Sequence, residues 1–343
     1  MQGGFGKMHI AQIAPPWVSV PPKKYGGTEL VVSLLTEGLI DRGYEVTLFA
    51  SGDSKTKGEL EYIYKNAVWP PDKYSENNHL AFSIKKCIEK KVDIIHSHLE
   101  VGMGFSRFTD IPIVVTLHIP FTEKILDYFK YFKDVHYVSI SNFQRSRGPK
   151  EMKYSATVYH GIDVSAYPYS NKKEDYVAFL GRLMPVKGVH TAIIIAKETG
   201  IPLKIAGVIS DKQYFEQVLK PSIDGEMVEY IGEVSFEDKC KLLSKAKALL
   251  FPIEWPEPFG LIVAESLACG TPVISYLRGS IPEIIVDGKH GFIVQSREEM
   301  AKKLKEVGKI SSSDCRKRVK EKFSVDNMVN GYIKVYEEVL TNT

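Results

Sequence analysis

The chain has 343 residues, 44% of them hydrophobic, and a formal net charge of +3 at neutral pH. That is enough apolar chain for two ordinary domains, and a charge so near balance argues against nucleic acid as the main partner. The four cysteines, Cys87, Cys240, Cys269 and Cys315, lie far apart with no C-x-x-C pair; they read as reduced thiols of a cytoplasmic protein, not as a disulfide framework or zinc site.

Residues 1–7 have no signal-peptide core and are read as a leader ahead of a start at Met8. No apolar run approaches the roughly 18–20 residues of a membrane span. From His9 the chain alternates strand-like and helix-like segments. Strands are expected at His9–Ala14, Glu45–Ala50, Val92–His96, Ile113–Leu117, Val135–Ile140 and Ala156–Tyr159. Helices are expected at Glu29–Arg42, capped by Thr28, and near 76–91, 121–133 and 141–147. A second alternating set follows, with strands at Tyr176–Leu180, Leu203–Ala206, Val228–Ile231, Ala248–Pro252, Val273–Ser275 and Gly291–Val294, and closing helices near 297–308, 311–322 and 325–341. Such alternation implies an α/β architecture of two doubly wound parallel sheets. The polar segment 166–175 places the domain boundary, giving domains 1–168 and 169–323. In such sheets ligands bind at the carboxyl ends of the strands.

The most informative stretch is Ile253–Gly279, IEWPEPFGLIVAESLACGTPVISYLRG, with Glu257 and Glu265 eight positions apart. Pro256 and Pro258 stiffen the first part, a helix is expected from Phe259, and Gly270 stops it before the next strand. Glu257 then precedes a helix N-terminus and Glu265 lies about two turns in. Carboxylates accept paired hydrogen bonds from vicinal hydroxyls, so the two suit a sugar and a ribose. A bare pair at this spacing also reads as a turn acid and a solvated helix acid.

Gly181-Arg182-Leu183-Met184-Pro185-Val186-Lys187-Gly188 follows the first strand of the second set. Its guanidinium and ammonium suit a diphosphate, whose negative charge grows as a sugar–phosphate bond breaks. Tyr25-Gly26-Gly27-Thr28-Glu29 sits between the first strand and helix, where glycines allow close approach of a phosphate or sugar. No G-x-G-x-x-G occurs, which disfavours a nicotinamide enzyme. His96, His98 and His118 end two strands, but no carboxylate cluster completes a familiar metal set and no Asp-x-Asp occurs, so no metal is expected. The stretch Phe121–Phe132, FTEKILDYFKYF, reads either as a core helix or as a face for a membrane or an acceptor.

Ile253–Gly279 resembles the E-x7-E motif of the family 4 retaining glycosyltransferases. The G-R-L-x-x-x-K-G run, the Ser139-Ile140-Ser141 step, the Val158–Asp163 turn with His160 at its usual asparagine, and the Arg278–Glu283 turn with Arg278 at its first glycine extend the resemblance over most of the chain. It implies the GT-B fold, two Rossmann-like domains, with 324–343 crossing back to the first. It implies transfer of a hexose-type sugar from a nucleotide-sugar, a substrate and not a cofactor, to a hydroxyl of a glycan, lipid-linked or small-molecule acceptor, with retained anomeric configuration and without metal. Arg182 and Lys187 would take the diphosphate. Glu257, with the backbone of Phe259, Gly260 and Leu261, would hold the donor sugar, and His118 would reach that sugar. Glu265 would bind ribose, Ile231 would lie near the base, and Gly26 and Gly27 would line the donor site. The alternatives are a nucleotide-sugar epimerase on the same fold and a glycoside hydrolase using Glu257 and Glu265. Location is expected to be cytoplasmic, with possible contact at the inner membrane face.

Overall fold

A computed structural model of the protein describes residues 8–24 and 26–342. The leader assigned to residues 1–7, and Tyr25 of the glycine loop, therefore lie outside the described residues. The chain divides into two compact units, Met1–Gly161 with Val325–Thr343, and Ile162–Ser324.

The first unit is built on seven strands: β1 His9–Ile13, β2 Glu45–Phe49, β3 Glu59–Glu61, β4 Ile94–Ser97, β5 Ile113–Thr116, β6 His136–Ser139 and β7 Tyr154–Thr157. They pair in parallel in the order β3-β2-β1-β4-β5-β6-β7. Helices cover both faces, so the inner strands β1, β4 and β5 are almost wholly buried. β3 was not expected. Its Glu-Leu-Glu sequence has no apolar run because it pairs only at the edge of the sheet. Gln12 is a fully buried amide one residue before the carboxyl end of β1, a position that requires hydrogen-bond partners.

The second unit holds six strands, β8 Val177–Leu180, β9 Leu203–Ala206, β10 Val228–Tyr230, β11 Ala248–Phe251, β12 Val273–Tyr276 and β13 Gly291–Val294, in the parallel order β10-β9-β8-β11-β12-β13. Its core joins Val177 and Phe179 of β8 with Leu203, Leu250 and Ile274, under the helix Val189–Thr199. In both sheets the order reverses once, between β1 and β4 and between β8 and β11. A crevice opens beyond the strand ends at such a reversal.

Four expectations change. The first helix runs Gly27–Ile40 and is capped by Gly26, not Thr28, because Gly26 takes φ 152°. The helix expected from Phe259 begins at Leu261, since Gly260 has φ +92°; Glu265 therefore lies just over one turn in, not two. The units divide at Gly161–Ile162 instead of 168–169. Ile162 bridges in parallel to Ser324 and donates its N–H to the Phe323 carbonyl at 2.9 Å. Arg316 then holds the carbonyls of Val164 and Tyr167 at 2.9 and 2.7 Å, so this polar stretch is bound into the second unit. The aromatic stretch forms a short helix, Glu123–Phe129. Phe129 is buried, Phe121, Ile125, Tyr128 and Phe132 pack on the same core, and Tyr131 alone of its large apolar residues is exposed.

The C-terminal helix Val325–Thr341 packs on the first unit, against the helix Gly27–Ile40 and β7. Gly38 allows this, because a Cβ there would press on the Val329 side chain. The helix brings Tyr332 and Tyr336, both fully buried, to the centre of the unit. No described helix is long and apolar enough to cross a membrane. All four cysteines are free and buried.

Candidate active site

In the second unit, the loops after β8 and β11 are stitched together across the reversal. On the other side of β8, Leu183 donates to the Val208 carbonyl beyond β9 at 2.8 Å, and one tight turn, Pro185–Lys187, ends at Gly188. Gly188 has φ +73°, and a Cβ there would overlap the Pro252 carbonyl just beyond β11. Glu254 donates its N–H to the Val186 carbonyl at 3.0 Å. These contacts carry Lys187 to Glu257: Nζ lies 2.9 Å from Oε2, with the side chains 13% and 12% exposed. Trp255 donates Nε1–H to the same oxygen at 2.8 Å, and the ammonium sits 4.4 Å from the centre of its ring. A half-withdrawn ion pair is thus walled by an indole, which lowers the local dielectric and strengthens it. Among the described residues, Glu257 Oε1 and the guanidinium of half-buried Arg182 have no hydrogen-bond or ion-pair partner.

The peptide of Glu257 is held by the turn at Arg278–Glu283. Ser280 donates its N–H to the Glu257 carbonyl at 2.9 Å and its hydroxyl to the Phe259 carbonyl at 2.7 Å. Gly279 has φ +58° and packs so closely that a Cβ would overlap the Glu257 carbonyl oxygen. Gly279→Ala is therefore expected to destabilise the protein by about 2–3 kcal/mol, the left-handed backbone alone accounting for roughly 1–2, and to displace Glu257. Urea unfolding measures the first effect; a variant as stable as the parent would mean that the turn does not clamp Glu257.

Glu265, 4% exposed, faces Lys239 Nζ at 2.5 Å and the Tyr167 hydroxyl at 2.8 Å, both through Oε1. Burial, then the neighbouring carboxylate, pushes the Tyr167 phenol far above its usual range, so it remains a donor. Lys239 lies over the Phe236 ring. Both glutamates thus commit one oxygen to a lysine and an aromatic donor. Among the described residues the other oxygen, Oε1 of Glu257 and Oε2 of Glu265, has no partner. Each of these two carboxylates on one short segment therefore keeps one oxygen able to accept a hydrogen bond. Ile231 has already given its N–H to the Ile205 carbonyl at 2.9 Å, so its carbonyl is what it offers.

The first unit has its own constellation at the carboxyl ends of β4 and β5. His98 Nδ1 lies 2.9 Å from His118 Nε2, and His98 Nε2 lies 2.9 Å from Gln12 Oε1. His96 bonds Tyr336 and Thr116, each at 2.7 Å. Both ring nitrogens of His96 and His98, and Nε2 of His118, are therefore bonded, and among the described residues no three metal-ligating side chains converge. Burial holds His118 neutral, down to about 3. The His160 ring stacks on His118 at 5.1 Å. Gln144 donates to the carbonyls of Leu117 and Ile119 on either side of His118, at 2.8 and 2.9 Å, and so fixes its backbone. The Ser141 hydroxyl caps the following helix by accepting from the Gln144 N–H, and Ser139 bonds Thr157. At Gly26, a Cβ would lie 2.7 Å from Pro22 and 3.0 Å from a Glu29 carboxyl oxygen. Burial raises that carboxyl to about 7, which disfavours its charged form beside Gly26 and Gly27.

Trp255, Lys239, Tyr167, Gln144 and Gln12 were not singled out from the sequence. Trp255 was legible, being next to the bracketing prolines. The others carry no local signal, because their partners are distant in the chain.

Two family models match in tandem, "Glycosyltransferase Family 4" over residues 25–166 and "Glycosyl transferases group 1" over residues 166–322. An uncharacterized glycosyltransferase of Methanocaldococcus jannaschii is 26% identical, with 97% of this chain and 99% of the relative covered. Among solved structures, sucrose-phosphate synthase from Thermosynechococcus elongatus superposes with a TM-score of 0.83 at 18% identity, covering 98% of this chain and 100% of that one. HepE of Anabaena, solved in complex with UDP and glucose, gives 0.78 at 20% identity, covering 96% and 100%. The fold is GT-B, two parallel Rossmann-like sheets. Within that class the chain belongs to the glycosyltransferase family that the two matched models describe.

Proposed function

We propose that the protein is a retaining, metal-independent glycosyltransferase that moves a hexose from a nucleoside diphosphate sugar to an acceptor hydroxyl. The observation that carries this is the loop after β8, where Arg182 has no partner among the described residues and Lys187 holds Glu257. An unpaired guanidinium and an ammonium with a shared anion supply positive charge in place, as a leaving diphosphate needs. Glu257 Oε1 accepts from the donor sugar, Glu265 Oε2 from a ribose, and His118 is assigned to a ligand hydroxyl. In this reading the acceptor attacks on the face the diphosphate leaves, and the departing phosphate takes its proton. A hydrolase reading gives Arg182 and Lys187 no work. UDP is the first nucleotide to test, since HepE was solved with it.

Calorimetry with UDP, GDP and ADP, followed by turnover with candidate acceptors, tests the class. Binding and transfer are expected to persist in EDTA, because the side-chain cations stand in for a metal. Loss of both on chelation, with recovery on adding magnesium or manganese, would overturn the metal-independent reading. Release of free nucleotide or an altered sugar without any acceptor would point to a hydrolase or an epimerase instead.

A further inference from the structure

We propose that Gln12 and His98 are positioning residues that set the tautomer of His118, placing its proton on Nε2 and leaving a lone pair on Nδ1 for a ligand hydroxyl. Only that last contact rests on the proposed function; the proton order belongs to the protein without ligand.

The order follows from hydrogen-bond valence. Gln12 Nε2 donates to the Tyr336 hydroxyl at 2.9 Å, so Oε1 is the atom 2.9 Å from His98 Nε2. A carbonyl oxygen only accepts, and His98 Nε2 therefore carries the proton. A neutral imidazole has one, which leaves His98 Nδ1 as an acceptor. It faces His118 Nε2 at 2.9 Å, so His118 must donate there. His118 then has a bare Nδ1, which has no hydrogen-bond partner among the described residues. Burial keeps His96 and His98 well below their usual range, so a second proton does not enter.

The far end closes consistently. The Tyr336 hydroxyl accepts from Gln12 and has one proton to give, to His96 Nδ1 at 2.7 Å. His96 donates from Nε2 to Thr116 Oγ1 at 2.7 Å, and Thr116 donates to the Tyr332 hydroxyl at 2.9 Å. One direction thus runs through both tyrosines of the C-terminal helix, the buried amide of β1 and the ends of β4 and β5. A single alternative satisfies every partner. With the Gln12 amide turned over, each bond reverses and His118 presents an N–H at Nδ1. The two orders give His118 opposite chemistry: the first makes it an acceptor that orients a hydroxyl, the second a donor. The Gln12 amide is the element that chooses, because it is the only link whose two ends differ in kind.

Long-range proton–nitrogen NMR on the full chain labelled with nitrogen-15 histidine reads the tautomer directly, with His118→Asn for assignment. The expected result is a neutral His118 protonated at Nε2. A proton on Nδ1 would overturn the proposal. Gln12→Glu keeps an acceptor toward His98 and should preserve the His118 pattern, whereas Gln12→Leu removes the choice and should give a mixture. A Gln12→Leu spectrum identical to the parent would show that Gln12 does not set the order; if that variant does not fold, the parent and Gln12→Glu spectra decide. In turnover, Gln12→Leu should lower kcat about three- to tenfold, the worth of one neutral hydrogen bond, with nucleoside diphosphate affinity unchanged. If the spectra are as expected but His118→Ala leaves kcat unaltered, the hydroxyl contact falls while the proton order stands.

Discussion

Lys187→Ala is expected to weaken nucleoside diphosphate binding roughly ten- to hundredfold, corresponding to a charge-assisted contact of about 1.5–3 kcal/mol, and to lower turnover further. Two effects add. The ammonium is lost as a phosphate partner, and Glu257, only 12% exposed, keeps the Trp255 N–H but no cation. An unneutralised carboxylate there repels a diphosphate. Arg182→Ala should weaken binding in the same range through the first effect alone, and with little cost in stability, because among the described residues its guanidinium has no partner to strand. Calorimetry with the preferred diphosphate and steady-state rates with its sugar measure both. Unchanged affinity in the two variants would place the phosphate elsewhere.

Glu265→Gln is expected to reduce nucleoside diphosphate and nucleotide-sugar affinity alike, by roughly tenfold or more, since an amide is a poorer acceptor for paired hydroxyls and leaves Lys239 without its counter-charge. Glu257→Gln should behave in the opposite way toward the diphosphate. In the free protein Glu257 holds Lys187; neutralising it releases the ammonium, so diphosphate affinity should stay level or rise while turnover falls. The contrast in sign separates a ribose ligand from a donor-sugar ligand. If Glu257→Gln abolishes diphosphate binding and Glu265→Gln does not, the two roles are exchanged. If neither changes binding or rate, the segment is structural.

These expectations use residues that were visible before any fold was known and partners that were not. Local pattern carried the strands, because an inner parallel strand is an uninterrupted apolar run bounded by turn residues; β9 and β13 lie where they were expected. It failed at β3, which has no such run, and at Gly26 and Gly260, where a positive φ that only the turn requires decides where a helix begins.

By itself the sequence determined the α/β alternation, the two sheets and the residues with chemistry to offer: Glu257 between its prolines, Arg182 and Lys187 on one loop, Glu265 in the following helix, and the histidines at strand ends. These are properties of composition and spacing within a few residues. Tertiary structure alone decided their partners. The Lys187–Glu257 pair spans seventy positions and Tyr167–Glu265 ninety-eight. Tyr336 meets Gln12 across 324. The state of a buried side chain, which oxygen is taken and which nitrogen holds the proton, depends on the neighbour that supplies its hydrogen bond. That neighbour is brought by sheet order and helix packing, to which no local stretch of chain has access.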